Sequence, residues 1–159
     1  MTAASNKLVT PTRRRVLGLA VLAGAVGLIG WRRLHPTYSG ERLSVAEAHA
    51  AALAGEVTLV DIRRPDEWRL TGIGEGAQPL DMRRADFETA LAELLGGDRA
   101  APVALICARG VRSARMATRM AKAGFTHVFD VPEGMLGSGA GAGWLGAGLP
   151  VMPYDGGQG

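Results

Sequence analysis

The chain has 159 residues, enough for one domain of ordinary size with an appendage and too few for a two-domain enzyme. Apolar residues make up 47% and charged residues 21%, which supports a buried core and excludes a wholly disordered chain. The single cysteine excludes an internal disulfide framework and any multi-thiolate zinc or iron–sulfur centre, and the formal charge of +3 is unevenly spread.

Lys7, Arg13, Arg14, Arg15, Arg32 and Arg33 put six positive charges and no acid into residues 1–40, leaving twelve bases against fifteen acids in the rest. A basic leader on a mildly acidic body gives no reason to expect a nucleic-acid partner. Residues 16–31 carry no charge and follow three arginines, the layout of a basic n-region and an apolar h-region. Thr12-Arg13-Arg14-Arg15-Val16-Leu17-Gly18 resembles a twin-arginine export signal. At 1.5 Å per residue the uncharged run spans about 24 Å, so crossing a bilayer requires Arg32 and Arg33 to snorkel. No clear A-x-A cleavage site follows it. Both a cleaved signal and a retained membrane anchor therefore stay open. Either way the basic flank before the run outweighs the one after it, which places the body outside: periplasmic, free after cleavage or anchored by residues 16–31.

Past a breaker-rich linker at 36–42, Ser44-Val45-Ala46-Glu47 reads as a capping box that starts a helix running to about Ala54 and ending at Gly55. Val57 to Ile62 has the length and apolarity of a buried strand, and Pro65 with Asp66 and Glu67 suits the first turn of a short helix. A short strand is expected near residues 78–82, a helix from Phe87 to Leu95, a second strand from Pro102 to Ile106, a helix over 113–123 and a third strand from His127 to Val131. Short apolar strands alternating with helices predict an α/β fold, an open parallel sheet with helices on both faces. Residues 134–148 contain seven glycines and read as a loop lying outside the core.

Ala104-Leu105-Ile106-Cys107-Ala108-Arg109-Gly110-Val111-Arg112-Ser113 runs from a strand through a tight loop into a helix. Ligands of open parallel sheets bind beyond the carboxyl ends of the strands, where Cys107 falls. Converging loop amides, the helix start at Ser113, and Arg109 and Arg112 would together favour a thiolate, the nucleophilic form, and would cradle an anion. His35, His49 and His127 have neither metal-ligand spacing nor a Cys–His arrangement, and no Walker or dinucleotide motif is present, so neither a metal nor a cofactor is expected.

Three stretches resemble the rhodanese domain, the fold of sulfurtransferases: Val57 to Trp68, the Cys107 loop, and Gly143-Trp144 through Gly148-Leu149-Pro150-Val151. The resemblance covers about Leu43 to Val151 and implies domain limits of 1–35 for the leader, 43–152 for a rhodanese-like domain and 153–159 for a tail. It implies that Cys107 takes a sulfane sulfur from a donor such as thiosulfate, forms a persulfide and passes it to a thiol or cyanide-like acceptor. Arg109, Gly110, Val111 and Arg112 would bind the donor's oxygens, and Asp61 and Ser113 would support the site. Asp61 equally suits a simple pairing with a neighbouring arginine. Phosphatases on this fold place five residues between cysteine and arginine; here four separate Cys107 from Arg112, which fits sulfur better than phosphate. The alternative is a sulfur-carrying or regulatory module that a partner protein loads at Cys107. The segment Thr71-Gly72-Ile73-Gly74-Glu75-Gly76-Ala77 lacks the histidine usual at this place in the family.

Overall fold

The computed structural model describes residues 38–156, so the leader expected at 1–35 lies outside the described residues. Among the described residues no helix is long and apolar enough to cross a membrane. The elements follow in the order α1 (Val45–Leu53), β1 (Thr58–Asp61), α2 (Pro65–Thr71), β2 (Ile73–Gly74), β3 (Ala77–Pro79), α3 (Phe87–Leu94), β4 (Val103–Ile106), α4 (Val111–Lys122), β5 (Val128–Val131), α5 (Gly143–Gly146) and β6 (Val151–Met152).

The Ser44 capping box forms as the sequence predicts. The Ser44 hydroxyl accepts from the Glu47 amide at 3.3 Å, and the Ser44 amide donates back to Glu47 at 2.8 Å. Strands β3, β1, β4 and β5 lie side by side in that order, all parallel. Every residue of the inner strand β4 is buried, as expected of an apolar run covered on both faces.

Alternation along the strands sorts the core into two layers. Val60, Val103, Leu105 and Val128 face Phe87 and Leu91 of α3 and Ala114, Ala117 and Met120 of α4. Leu59, Ala104, Ile106 and Val131 face Val45 and Ala48 of α1, Trp68 of α2, and Met135 and Trp144. Cys107 continues the parity of Leu105 and belongs to the α3/α4 layer.

Three expectations are corrected. The glycine-rich segment 134–148 is no free loop: it carries the short helix α5, and Met135 and Trp144 are both fully buried. The ring of Trp144 fits because residue 74 has no side chain; a Cβ there would stand 2.7 Å from the indole. A two-stranded antiparallel ribbon, β2 with β6, was not expected and ties Ile73–Gly74 to Val151–Met152. Two-residue strands are too short to show any period in sequence. The third correction is small: β3 starts at Ala77, and α4 starts at Val111, two residues earlier than expected, because Gly110 provides its left-handed cap.

Asp61 ends β1 as a fully buried carboxylate, and Arg63, 1% exposed, folds back onto it. The Arg63 Nη2 lies 2.6 Å from Asp61 Oδ2, and its remaining donors reach the Thr71 hydroxyl at 2.7 Å and the Gly72 carbonyl at 2.7 Å. The pair thus fastens the carboxyl end of α2 to the carboxyl edge of the sheet. Of the two readings of Asp61, the pairing is the one the structure forms. Asp61→Asn removes one partner of a sealed ion pair and is expected to cost about 3–5 kcal/mol of stability, read by urea unfolding.

Candidate active site at Cys107

Cys107 stands directly after β4, and the chain from Ala108 to Gly110 turns back to begin α4. The turn depends on Gly110, whose φ of 79° lies in the left-handed region; a side chain there would also run into the carbonyl of Pro132. As at any helix start, the first amides of α4 have no carbonyl of their own helix to donate to, which leaves them available to an anion.

Cys107 is 1% exposed. Its hydrogen-bond partner is the Ser113 hydroxyl at 3.5 Å, and that hydroxyl also reaches the Gly110 carbonyl at 3.0 Å. Ser113 is itself fully buried and belongs to the first turn of α4. The outer wall of the site is the glycine-rich segment. Met135 donates its amide to the Cys107 carbonyl at 2.8 Å, and Leu136 donates to the Ala108 carbonyl at 2.9 Å. Such close approach of two backbones needs Gly134, where a Cβ would stand 2.6 Å from the Ala108 carbonyl carbon.

Sequence reasoning assigned both arginines of the loop to an anion, and the structure divides them. Arg112 is held by Glu67 of α2 through two bonds, Nη1 to Oε2 at 2.7 Å and Nη2 to Oε1 at 2.6 Å. The hydrogen bonds from Arg112 hold the Glu67 carboxyl well below its ordinary value of 4.5, at about 2. Arg112 is raised in turn, chiefly by Glu67, and it also feels the charge of Cys107. The Arg112 charge is thus matched by a carboxylate that the sequence did not pair with it. Arg109 is exposed, with a long contact of 3.5 Å from Nη1 to the Gly137 carbonyl. Val111, 38% exposed, sits at the rim.

Glu67 and Glu133 escaped sequence reasoning as site residues. Glu67 accepts the Arg64 amide at 3.2 Å while gripping Arg112, joining the start of α2 to the Cys107 loop. Its position in the first helical turn was readable, but its partner lies 45 residues away. Glu133 accepts the amides of Val45 at 3.2 Å and Gly143 at 3.3 Å, bracing the glycine-rich wall. His49 pairs with Glu75 at 3.0 Å and packs edge-on against Trp144, and His127 reaches the Ala100 carbonyl at 2.8 Å, so neither faces Cys107. Among the described residues no group of three or more His, Cys, Asp or Glu is placed to hold a metal ion.

A rhodanese-like domain model matches residues 44–138, which is more than half of the chain and includes β1, the Glu67 helix and the whole Cys107 loop. The chain belongs to the rhodanese-like domain family. Among solved structures, this rhodanese-like chain is similar to a polysulfide-sulfur transferase homodimer from Wolinella succinogenes, with 26% identity and a TM-score of 0.56 over 74% of this chain and 81% of that one. It is also similar to a thiosulfate sulfurtransferase from Pseudomonas aeruginosa, with 26% identity and a TM-score of 0.58 over 71% of this chain but 20% of that one. A Rhodopseudomonas palustris protein described as a possible tyrosine phosphatase shares the fold at 23% identity and a TM-score of 0.55, covering 94% of this chain and 100% of that one. No curated protein matches.

Two outcomes follow from this geometry. A carboxyl lowered from 4.5 to about 2 on folding contributes stability that is complete above pH 4.5 and is lost as pH falls through 2. Urea unfolding should therefore show Glu67→Gln less stable than the parent at pH 7, with the gap narrowing between pH 4.5 and 2. Gly110→Ala should lose at least about 1–2 kcal/mol from the left-handed backbone alone, seen as a lower Tm.

Proposed function

We propose that this rhodanese-like domain is a sulfurtransferase in which Cys107 carries sulfur as a persulfide. The observation that supports it most is the placement of the chain's one cysteine at the carboxyl end of a buried parallel strand, inside a turn that ends in a helix N-terminus. The similarity to proteins described as polysulfide-sulfur and thiosulfate sulfurtransferases favours the same chemistry.

With thiosulfate as donor, the Cys107 thiolate attacks the outer sulfur. A sulfur–sulfur bond forms to Cys107, the bond from that sulfur to the sulfonate sulfur breaks, and sulfite leaves with the bonding pair. Cyanide or a thiolate then attacks the terminal persulfide sulfur and returns Cys107 as thiolate. In this reading the amides of Gly110, Val111 and Arg112 hold the donor's oxygens, Arg109 meets it at the rim, and Asp61 and Ser113 support the frame.

A second reading has a specific observation behind it. Arg112 is already matched by Glu67, which weakens the attraction of the site for a free dianion relative to a donor presented by a partner protein. In that reading the domain is a carrier that a protein persulfide loads at Cys107. Export remains a proposal supported by the leader sequence alone, and fractionation with intact mass measurement tests it.

The purified protein, given thiosulfate and cyanide, is expected to release thiocyanate, and Cys107→Ser to release none; undiminished release from the variant would overturn the mechanism. Negligible release by the parent, together with a gain of one sulfur on Cys107 from a protein persulfide, would select the carrier reading.

A further inference from the structure

Glu67 belongs to α2, yet its carboxylate ends on the loop that carries the reacting sulfur. The Ser113 hydroxyl lies 3.5 Å from that sulfur, which sets the first turn of α4 against it, and Arg112 is the residue before Ser113. Arg112 gives both terminal nitrogens to Glu67, Nη1 to Oε2 at 2.7 Å and Nη2 to Oε1 at 2.6 Å. A guanidinium grips oxyanions through the same forked pair of donors. Glu67 thus holds the face of Arg112 that an anionic donor would use.

Both side chains are partly withdrawn from water, Arg112 at 30% and Glu67 at 20% exposure, so their charges cancel at short range. The Glu67 carboxyl, held at about 2 by Arg112, stays ionised at neutral pH. Arg64 also reaches Glu67 Oε2, at 3.3 Å, but it is more exposed and is shared with Asp66 at 3.0 Å. Asp61 and Arg63 cancel each other inside the protein. Arg109 at the rim meets the Gly137 carbonyl, a neutral acceptor. A donor approaching a Cys107 thiolate therefore meets a like charge on the nucleophile and a cation that is already spoken for, and each further negative charge on the donor is penalised.

We propose that Glu67 sets the charge selectivity of the site: by cancelling Arg112 it turns the loop away from dianionic sulfur donors and toward donors of lower charge, such as thiosulfonates and persulfides. Glu67 acts through Arg112 and is a positioning residue. This rests on Cys107 being the nucleophile of the proposed function, and it names the donor class which that reading leaves open.

The test compares thiosulfate, a dianion, with methanethiosulfonate, a monoanion, each with cyanide as acceptor. The Cys107 thiolate attacks the outer sulfur of either donor; the bond from that sulfur to the oxidised sulfur breaks, and sulfite or methanesulfinate leaves with the bonding pair. The attacked atom is the same and the donors differ by one charge. The ratio of kcat/KM for thiosulfate to kcat/KM for methanethiosulfonate should rise roughly tenfold in Glu67→Gln and fall about as far in Arg112→Gln, both changes shrinking with added salt. The double variant removes both charges and should return close to the parent's ratio. A brace with no charge role would slow both donors alike, and a ratio equal to the parent's in every variant would overturn the proposal. A double variant with the ratio of Arg112→Gln alone would overturn it too. If Glu67→Gln fails to fold by circular dichroism, Arg112→Gln decides: the parent's ratio there sinks the idea. If neither donor is turned over, the functional reading falls, and Cys107 alkylation by anionic iodoacetate relative to neutral iodoacetamide takes its place. That ratio should follow the same order across the variants; a constant ratio, or no alkylation at all, would overturn the charge selectivity as well.

Discussion

The close approach of two stretches of backbone governs this molecule. The Cys107 loop and the segment that follows β5 touch main chain to main chain, the carbonyls of Cys107 and Ala108 accepting the amides of Met135 and Leu136. At two points the approach leaves no room for a side chain: a Cβ on Gly134 would meet the Ala108 backbone, and one on Gly110 the Pro132 carbonyl. Once the two stretches are joined, the sulfur has a floor in β4, one wall in α4 and another in the glycine-rich segment. Trp144, Met135 and the Glu133 carboxylate then hold that second wall against the α1 face of the sheet.

Charge is handled in closed pairs around this centre. Asp61 and Arg63 satisfy each other inside the protein and fasten α2, and Glu67 at the start of α2 reaches across to Arg112. Helix α2 is thus a strut between the end of β1 and the loop after β4. A buried pair such as Asp61–Arg63 contributes little net stability compared with apolar packing, but breaking it is costly.

How far the sequence foretold this depends on whether a feature is local. The Ser44 capping box, the apolar runs of β1, β4 and β5, and the cysteine set between a strand and a helix are all readable over a few residues, and each forms. Asp61 was readable too, because its partner lies two positions away. Glu67 was seen as a first-turn acid, but its bond to Arg112 spans 45 residues and leaves no mark in spacing. Seven glycines between 134 and 148 signal a loop by composition. What they make instead is a tightly fitted wall, because absent side chains serve close packing as well as they serve freedom. The β2/β6 ribbon fell below the length at which alternation can register.

That the second wall follows the cysteine in the chain has a consequence for biosynthesis. The segment whose amides close onto the Cys107 loop is translated after it, at about 5–20 residues per second, so the loop lacks its second wall for roughly 2–8 s before residue 148 is added. The two stretches of backbone can therefore join only late in synthesis, after most of the domain has been made.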